Sequence, residues 1–306
     1  MANENKIQKV LVAGPNGNLG PTILKHLKER NFEVTLLTRN LEKTQQSFPD
    51  LRAFAADYDS VEQLQKVLKD DVGKQDALIV LIERNEDQAQ INLMDAAIAA
   101  GIPHIIPSCF GITSRTPEFR RLPIWNSKCR MEDYVVEKSE AGAFTFTGIQ
   151  NGSFLDWALE KGVFLNPKGG DPPFMVFDGG DVPFSATLMD DIGKAVAVSL
   201  LKVDKFRNKF VNIQSAVITQ NQLARYAKEL APDREFKSIP LDTAVLEKAA
   251  FERYNAGDTG PDVMYMFMPR VTFGNKLGLF DHVDNEELEV EQMTEAQVKE
   301  LVGRYI

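Results

Sequence analysis

The amino-acid sequence predicts an α/β fold built on a doubly wound parallel sheet. Three observations lead to this prediction. Short apolar strand segments alternate with helical segments through the first half of the chain, the first strand segment runs into a glycine-rich loop, and the alternation stops after residue 150. Regular alternation of this kind is typical of parallel strands that are joined by right-handed helical crossovers.

The predicted strands are mostly continuous apolar runs, as expected for strands that are buried on both faces. They cover residues 9–14, 34–39, 51–57, 77–82, 103–108 and 143–149. Predicted helices alternate with them, at residues 18–30, 60–70, 87–101 and 126–139. Two of these helices carry end signals. Ser60 with Gln63 predicts a capping box, and Gly101 predicts a C-cap.

The rhythm changes after Asn151. Residues 164–188 are rich in Gly and Pro and contain short strand segments, and helices are predicted at 190–201 and 219–230 with a short strand at 211–214 between them. Asp190 and Asp191 begin the first of these helices, where their charge favours the helix terminus. We therefore expect residues 1–150 to form the sheet domain and residues 151–306 a smaller portion that is interleaved with the sheet.

Composition excludes several classes of function. The 306 residues carry a formal charge of −9, which argues against a nucleic-acid surface. No apolar stretch is long enough to span a membrane and the chain starts without a signal-peptide pattern, so we expect a soluble, cytoplasmic protein. Two cysteines and three scattered histidines give neither a disulfide framework nor a metal site. Chemistry in this chain is therefore expected to use an organic cofactor and a small-molecule substrate.

The glycine-rich loop after the first strand reads GPNGNLG at residues 14–20. A dinucleotide needs a tight turn, a close backbone approach to its pyrophosphate and a helix N-terminus directed at it. Gly14 suits the turn, Gly17 the approach and Gly20 the contact between helix and sheet. The context predicts an NAD(P)-binding Rossmann domain, against the alternative of a structural turn. The expected binding residues are the whole loop: Gly14, Pro15, Asn16, Gly17, Asn18, Leu19 and Gly20.

The residue after the second strand sets the expected cofactor. An acidic residue there binds the 2′-hydroxyl of NAD, whereas an arginine binds the 2′-phosphate of NADP. This chain has Arg39, whose rigid fork suits a phosphate, and Lys43 adds charge nearby. Asp57, at the end of the third strand, is expected to shape the adenine pocket. The sequence thus favours NADPH, although each of these side chains could instead be an ordinary solvated residue.

Together these motifs resemble the NmrA-like, isoflavone-reductase-like branch of the atypical short-chain dehydrogenases. That branch includes isoflavone, phenylcoumaran benzylic ether and pinoresinol–lariciresinol reductases and fungal relatives. The matching pieces keep the same order through most of residues 7–235. They are residues 14–20, Arg39, residues 55–64, residues 90–111, Lys128, residues 147–157 and residues 189–201.

The resemblance implies that one lysine, Lys128, serves as the general acid/base. Such a lysine carries protons efficiently only when burial or nearby positive charge lowers its pKa. The expected sources are Ile124, Trp125, Arg130 and either Arg120 or Arg121.

A second lysine on the same predicted helix offers a rival. Tyr134 and Lys138 spell the Tyr-x-x-x-Lys of short-chain dehydrogenases, but Tyr134 lies about 9 Å farther from the helix start than Lys128. We therefore favour Lys128 over this pair. A chain without any catalytic lysine stays open as a third reading.

The substrate pocket is the least defined part of the prediction. Many plant members carry PSEFG where this chain has PSCFG, so the family's substrates do not carry over directly. Cys109 and Cys129 are interpreted as small buried residues rather than nucleophiles. Aromatic residues flank the expected site and suit a flat ligand, although core packing would explain them equally well. They are Phe110, Trp125, Phe154 and Trp157, and residues 251–280 could form a lid or an oligomer contact.

The sequence thus predicts an NADPH-dependent reductase of a small aromatic or secondary-metabolite-like substrate, with Lys128 as proton relay. Residues 151–306 would mainly bind the substrate. Two alternatives stay open: a non-catalytic, redox-sensing regulator that binds the dinucleotide, and a non-redox, cyclase-like enzyme on the same fold. The sequence also leaves a homodimer open.

Overall fold

The computed structural model describes residues 6–83, 86–274 and 276–306. Its strands are β1 Lys9–Ala13, β2 Glu33–Thr38, β3 Arg52–Ala55, β4 Ala77–Val80, β5 His104–Ile106, β6 Thr145–Gln150, β7 Ser153–Phe154, β8 Phe174–Phe177, β9 Phe184–Thr187, β10 Lys209–Asn212, β11 Ala216–Ile218 and β12 Ser238–Leu241.

The α-helices alternate with the first strands and dominate the second half of the chain. They are α1 Gly20–Glu29, α2 Leu41–Ser47, α3 Val61–Lys66, α4 Asp87–Ala99, α5 Pro117–Arg120, α6 Asn126–Glu140, α7 Leu155–Glu160, α8 Met189–Leu201, α9 Val203–Phe206, α10 Gln220–Leu230, α11 Thr243–Asn255, α12 Pro261–Met266, α13 Met268–Phe273 and α14 Glu295–Gly303. A π-helical stretch, Val67–Val72, continues α3.

Among the described residues, seven strands form one sheet in the order β10-β6-β5-β4-β1-β2-β3. The pairs β1–β2, β1–β4, β2–β3, β4–β5 and β5–β6 are all parallel. The strand order reverses between β1 and β4, where open α/β sheets bind their ligands at the carboxyl ends of the strands. The predicted doubly wound parallel sheet is confirmed.

The short strand that was predicted at residues 211–214 begins two residues earlier. It is β10, Lys209–Asn212, which forms the edge of the large sheet next to β6. A glycine of β6 makes room for it. A Cβ at Gly148 would stand 2.5 Å from the Phe210 ring, so only glycine leaves room for that ring.

The predicted helix ends were partly right. Gly101 adopts φ +73°, and the N–H groups of Gly101 and Ile102 donate to Ile98 O and Ala97 O in a Schellman motif. Ser60 caps α3 by accepting from the N–H of Gln63. The capping box was wrong, because Gln63 Oε1 accepts from the N–H of Asp57 rather than from that of Ser60.

The chain forms two compact units that alternate along the sequence. The first comprises the residues up to Phe110 together with Ser127–Gln150 and Ile192–Val211. Its core packs α3, α4 and α6 residues such as Leu64, Leu93 and Val135 with sheet residues. The second comprises Gly111–Asn126, Asn151–Asp191 and Asn212–Ile306.

The second unit has two small sheets of its own, of strand order β11-β9-β7 and β12-β8. Its core is rich in phenylalanine, with the Phe273 ring stacked on Phe177 at 4.9 Å. Asp191, in the first turn of α8, also accepts a hydrogen bond of 2.7 Å from the Ser215 hydroxyl. Within the described ranges, no helix combines the length and the apolar character that a membrane span requires.

Candidate functional site

The glycine loop begins with a turn that only glycine can make. Gly14 adopts φ +80°, and an added Cβ would lie 2.5 Å from Leu81 O. The Gly14 N–H is shared between Leu37 O and the Tyr58 hydroxyl, each at 3.1 Å. Tyr58 in turn donates to Leu37 O at 2.7 Å, and burial raises the pKa of Tyr58 and keeps the phenol protonated. These hydrogen bonds tie the loop to β2 and to the segment after β3.

The other two glycines differ from each other. An added Cβ at Gly20 would lie 1.8 Å from Pro15 O, so Gly20 packs closely against its own loop. A Cβ at Gly17 would meet nothing closer than 3.7 Å, and Gly17 is exposed. Space inside the protein therefore does not explain Gly17, whereas a close approach by a ligand would.

Helix α1 starts from this loop without a side-chain cap. Its N-cap residue, Leu19, makes no capping hydrogen bond, and its first turn contains no acidic residue. The next two helices of the sheet, α2 and α3, are capped by the side chains of Asn40 and Ser60. An uncapped helix N-terminus at the end of a glycine loop presents backbone N–H groups and a positive dipole, which suit a phosphate.

Asn16 adds a side-chain amide to the loop. Its Nδ2 donates to Thr44 Oγ1 at 2.6 Å, while its Oδ1 is buried and has no hydrogen-bond partner among the described residues. Buried acceptors are usually satisfied, so an orphan of this kind fits a donor from a bound ligand. Asn18 is exposed and Pro15 is buried.

Arg39 borders an open cleft of about 370 Å³ whose other lining residues are Ala55, Ala56, Asp57 and Gln63. The Arg39 guanidinium lies 5.4 Å from the centre of the Tyr58 ring. Its Nη1 also lies 3.0 Å from Glu86 Oε2, and no local pattern predicts this ion pair. Exposed side chains of Asp57 and Lys43 lie after β3 and in the first turn of α2, respectively.

Lys128 is buried at the start of α6. Its ammonium group donates to Cys109 O at 2.8 Å and to Phe110 O at 3.0 Å, which ties α6 to the segment after β5. Its Nζ also lies 3.8 Å from Oε1 of Glu132, one turn along the helix and fully buried. Burial, followed by the negative charge of Glu132, raises the pKa of the Cys109 thiol, which argues against a nucleophilic role.

The environment of Lys128 differs from the predicted one. Cationic neighbours were expected, but the structure places a carboxylate beside the lysine. Arg130 Nε instead pairs with Asp87 Oδ2 at 2.8 Å. Arg121 pairs with Glu247 in the second unit. The i,i+4 spacing of Lys128 and Glu132 was a usable sequence signal, because residues four apart face each other on a helix.

Tyr134 and Lys138 are engaged with each other and with α4. The Tyr134 hydroxyl donates to Asp95 Oδ1, and the Lys138 ammonium lies 5.2 Å from the centre of the Tyr134 ring. Burial raises the pKa of Tyr134, and its hydrogen bond to Asp95 raises it further. A tyrosine of raised pKa that already donates to a carboxylate is poorly suited to transfer protons to a substrate.

The predicted aromatic residues are distributed over both units. Phe110 belongs to the first unit, whereas Trp125, Phe154 and Trp157 belong to the second. Trp125 stacks on Phe119 with ring centres 4.8 Å apart, and Trp157 packs against the core of the second unit. Their role in substrate binding stays a prediction, as does the lid or oligomer contact at residues 251–280.

The model of the NmrA-like family matches residues 6–300. The chain belongs to the NmrA-like family. Among its curated relatives, oxidoreductase aprR of Aspergillus flavus is 30% identical over 252 residues, which cover 81% of this chain and 82% of the relative. Oxidoreductase poxI of Penicillium oxalicum is 28% identical over 258 residues, 82% of this chain and 79% of the relative.

A solved structure is similar to nearly the whole of this NmrA-like chain. Leucoanthocyanidin reductase of Vitis vinifera, in a binary complex with NADPH, matches with a TM-score of 0.74 at 20% identity. The match covers 97% of this chain and 99% of that protein. At this identity the likeness establishes a Rossmann-like fold, with a mainly parallel sheet and flanking helices.

Proposed function

We propose that this NmrA-like protein is an NADPH-dependent reductase of a small aromatic or secondary-metabolite-like molecule. The observation that carries the proposal is the glycine loop of residues 14–20, which opens into the uncapped N-terminus of α1 at the reversal point of the sheet. Two relatives named oxidoreductases, alignable over about four fifths of the chain, support it. The fold shared with a reductase that binds NADPH supports the choice of cofactor.

The residues present fit the cofactor. Gly17 leaves space beside the loop, α1 offers N–H groups to the pyrophosphate, and Arg39 stands where a 2′-phosphate would be recognised. The whole loop would surround the dinucleotide, with Lys43 adding charge and Asp57 shaping the adenine pocket. The chemistry that such a cofactor supplies when bound is hydride transfer to a polarised carbon.

Lys128 would hold and deliver the proton. Its ammonium group is fixed by two carbonyl groups and by Glu132, so its position is defined before any substrate arrives. Preorganised groups of this kind cost little reorganisation during a reaction. Phe110, Trp125, Phe154 and Trp157 would contact the substrate, and residues 151–306 would mainly form the substrate-binding portion.

Two measurements test the proposal. Purified protein is titrated with NADPH and NADH by fluorescence, and NADPH consumption is then followed with flavonoid, lignan, quinone and imine compounds. We expect tighter binding of NADPH and oxidation that depends on one compound class. Failure to bind either nucleotide would refute the proposal. Tight binding without oxidation would favour the redox-sensing regulator or the cyclase-like alternative.

The role of Lys128 needs a variant that still folds. Lys128→Met combined with Glu132→Gln removes both charges and leaves neither buried alone. We expect this variant to bind NADPH normally and to lose at least about 99% of its turnover, in line with the contribution of a general acid. Lys138→Met, at the other lysine of α6, is the matched control and should retain turnover. Equal turnover in both variants would exclude Lys128 as the proton relay.

A further inference from the structure

Glu86 forms an ion pair with Arg39, the residue that is proposed to recognise the 2′-phosphate. Nη1 of Arg39 lies 3.0 Å from Oε2 and 3.2 Å from Oε1 of Glu86, so both carboxylate oxygens face the guanidinium. Glu86 stands at the N-cap position of α4, yet its side chain makes no capping hydrogen bond there. The carboxylate is directed to Arg39 instead of to the helix that follows it.

Two carboxylates near the cleft make it less favourable for a phosphate than Arg39 alone would. Arg39 contributes one positive charge, while Glu86 pairs with it and Asp57 lines the same cleft. A 2′-phosphate bound to Arg39 would stand within a few ångströms of the Glu86 carboxylate. Charges of like sign at that distance repel each other even near a protein surface. A cofactor without the phosphate would meet no such repulsion.

We propose that Glu86 is a specificity-determining residue that competes with the cofactor 2′-phosphate for Arg39. By neutralising Arg39, Glu86 lowers the preference for NADPH over NADH below what the arginine alone would give. The inference rests on the proposed function, because it assumes that the dinucleotide binds at this cleft. The inference adds Glu86 as a residue that weakens the discrimination between NADPH and NADH. Glu86 lies 47 positions after Arg39 in the sequence.

The test compares NADPH with NADH, which differ only in the 2′-phosphate. Fluorescence titrations are carried out on the wild type, Glu86→Gln, Arg39→Gln and the double variant. We expect Glu86→Gln to tighten NADPH binding about three- to tenfold and to change NADH binding less than about twofold, because only the phosphate feels the carboxylate. In the Arg39→Gln background, the same substitution should change the ratio of the two affinities less than about twofold.

A matched control removes one negative charge elsewhere. Glu33 is exposed at the opposite end of β2, where it pairs with Lys9, so Glu33→Gln changes the net charge equally without touching the cleft. It should leave both affinities unchanged. Thermal unfolding of each variant verifies that the fold is intact.

The outcomes separate this inference from the proposed function. Binding of neither nucleotide would overturn both. If wild-type protein binds NADPH but Glu86→Gln strengthens NADPH and NADH equally, Glu86 acts as a general charge and the competition is refuted. Weaker NADPH binding by Glu86→Gln would also refute it, because Glu86 would then position Arg39 for the phosphate.

Discussion

Two pairs of a cation and a carboxylate in the first unit have the same chemistry but opposite settings. The Arg39–Glu86 pair is open to solvent, with side chains 57% and 29% exposed. The Lys128–Glu132 pair is enclosed, with side chains 3% and 0% exposed. Exposed pairs contribute about 0–1 kcal/mol to stability. Breaking a buried pair costs several times more, because the remaining charge is left in a medium of low dielectric constant.

Only the exposed pair is open to a ligand that would replace its carboxylate. A phosphate can replace Glu86 at Arg39, because water and ions already reach the guanidinium. Loss of Glu132 would instead leave Lys128 with its two carbonyl partners but without the adjacent carboxylate. We therefore interpret the exposed pair as adjustable recognition and the buried pair as a fixed framework for the proposed relay.

The buried pair should contribute most to the free energy of unfolding. Glu132→Ala should lower the free energy of unfolding by about 3–5 kcal/mol, because Lys128 stays buried without its carboxylate. Glu86→Ala, the matched change in the exposed pair, should cost less than about 1 kcal/mol. Urea-induced unfolding of both variants measures the two costs. Equal costs would show that burial does not distinguish the pairs.

The glycine loop offers the next contrast, between a position fixed by the fold and a position left for a ligand. Gly20→Ala should destabilise the protein by about 3 kcal/mol, because its Cβ would overlap Pro15 O. Gly17→Ala should leave stability within about 0.5 kcal/mol but weaken NADPH binding, because its Cβ has room in the free protein. Parallel unfolding and NADPH titrations separate the two effects. Loss of stability in Gly17→Ala would remove the argument for a ligand there.

The buried side chain of His104 makes the stability of the protein depend on pH. Burial lowers the pKa of His104 from 6.5 to about 3, and both of its ring nitrogens face threonine hydroxyls, of Thr145 and Thr147. The unfolded chain therefore binds a proton before the folded chain does, so stability is complete above pH 6.5 and falls as the pH drops toward 3. At pH 5 the loss should be about 2 kcal/mol.

Thermal unfolding between pH 7 and pH 4.5 measures this loss. His104→Asn should remove most of the pH dependence, whereas His282→Gln, at an exposed histidine, should leave it unchanged. An unchanged slope in His104→Asn would mean that other groups set the acid sensitivity.

Local patterns in the sequence were sufficient for most of the sheet. Apolar runs and terminal glycines predicted β1 to β6 in order, because those signals act within a few residues. The neighbour of β10 was not predicted, because nothing local specifies that Phe210 packs on Gly148 of β6, a strand that is far away in the sequence. Strand existence was predictable, whereas strand partnership depended on tertiary contacts.

Local patterns likewise predict only some residues of the candidate site. The glycine loop and Arg39 were visible because each follows a strand at a fixed offset. Glu86 was not, because its partner lies 47 residues away. Glu132 stands at the right spacing from Lys128, but i,i+4 pairs usually lie on exposed helix faces, and only the structure shows that this one is buried.

The hydrogen bond between Tyr134 and Asp95 is less buried than the Lys128–Glu132 pair, and its removal should have a smaller effect on stability. Tyr134 is half-buried and donates to Asp95 on α4, 39 residues earlier in the chain. The spacing of Tyr134 and Lys138 in the sequence does not indicate this contact. Tyr134→Phe should lower the free energy of unfolding by about 1–2 kcal/mol, because the substitution removes a hydrogen bond to a charged group. NADPH-dependent turnover should not change. Tyr134 stays protonated at neutral pH and its proton is directed at Asp95, so a loss of turnover beyond tenfold would transfer the relay from Lys128 to the Tyr134–Lys138 pair.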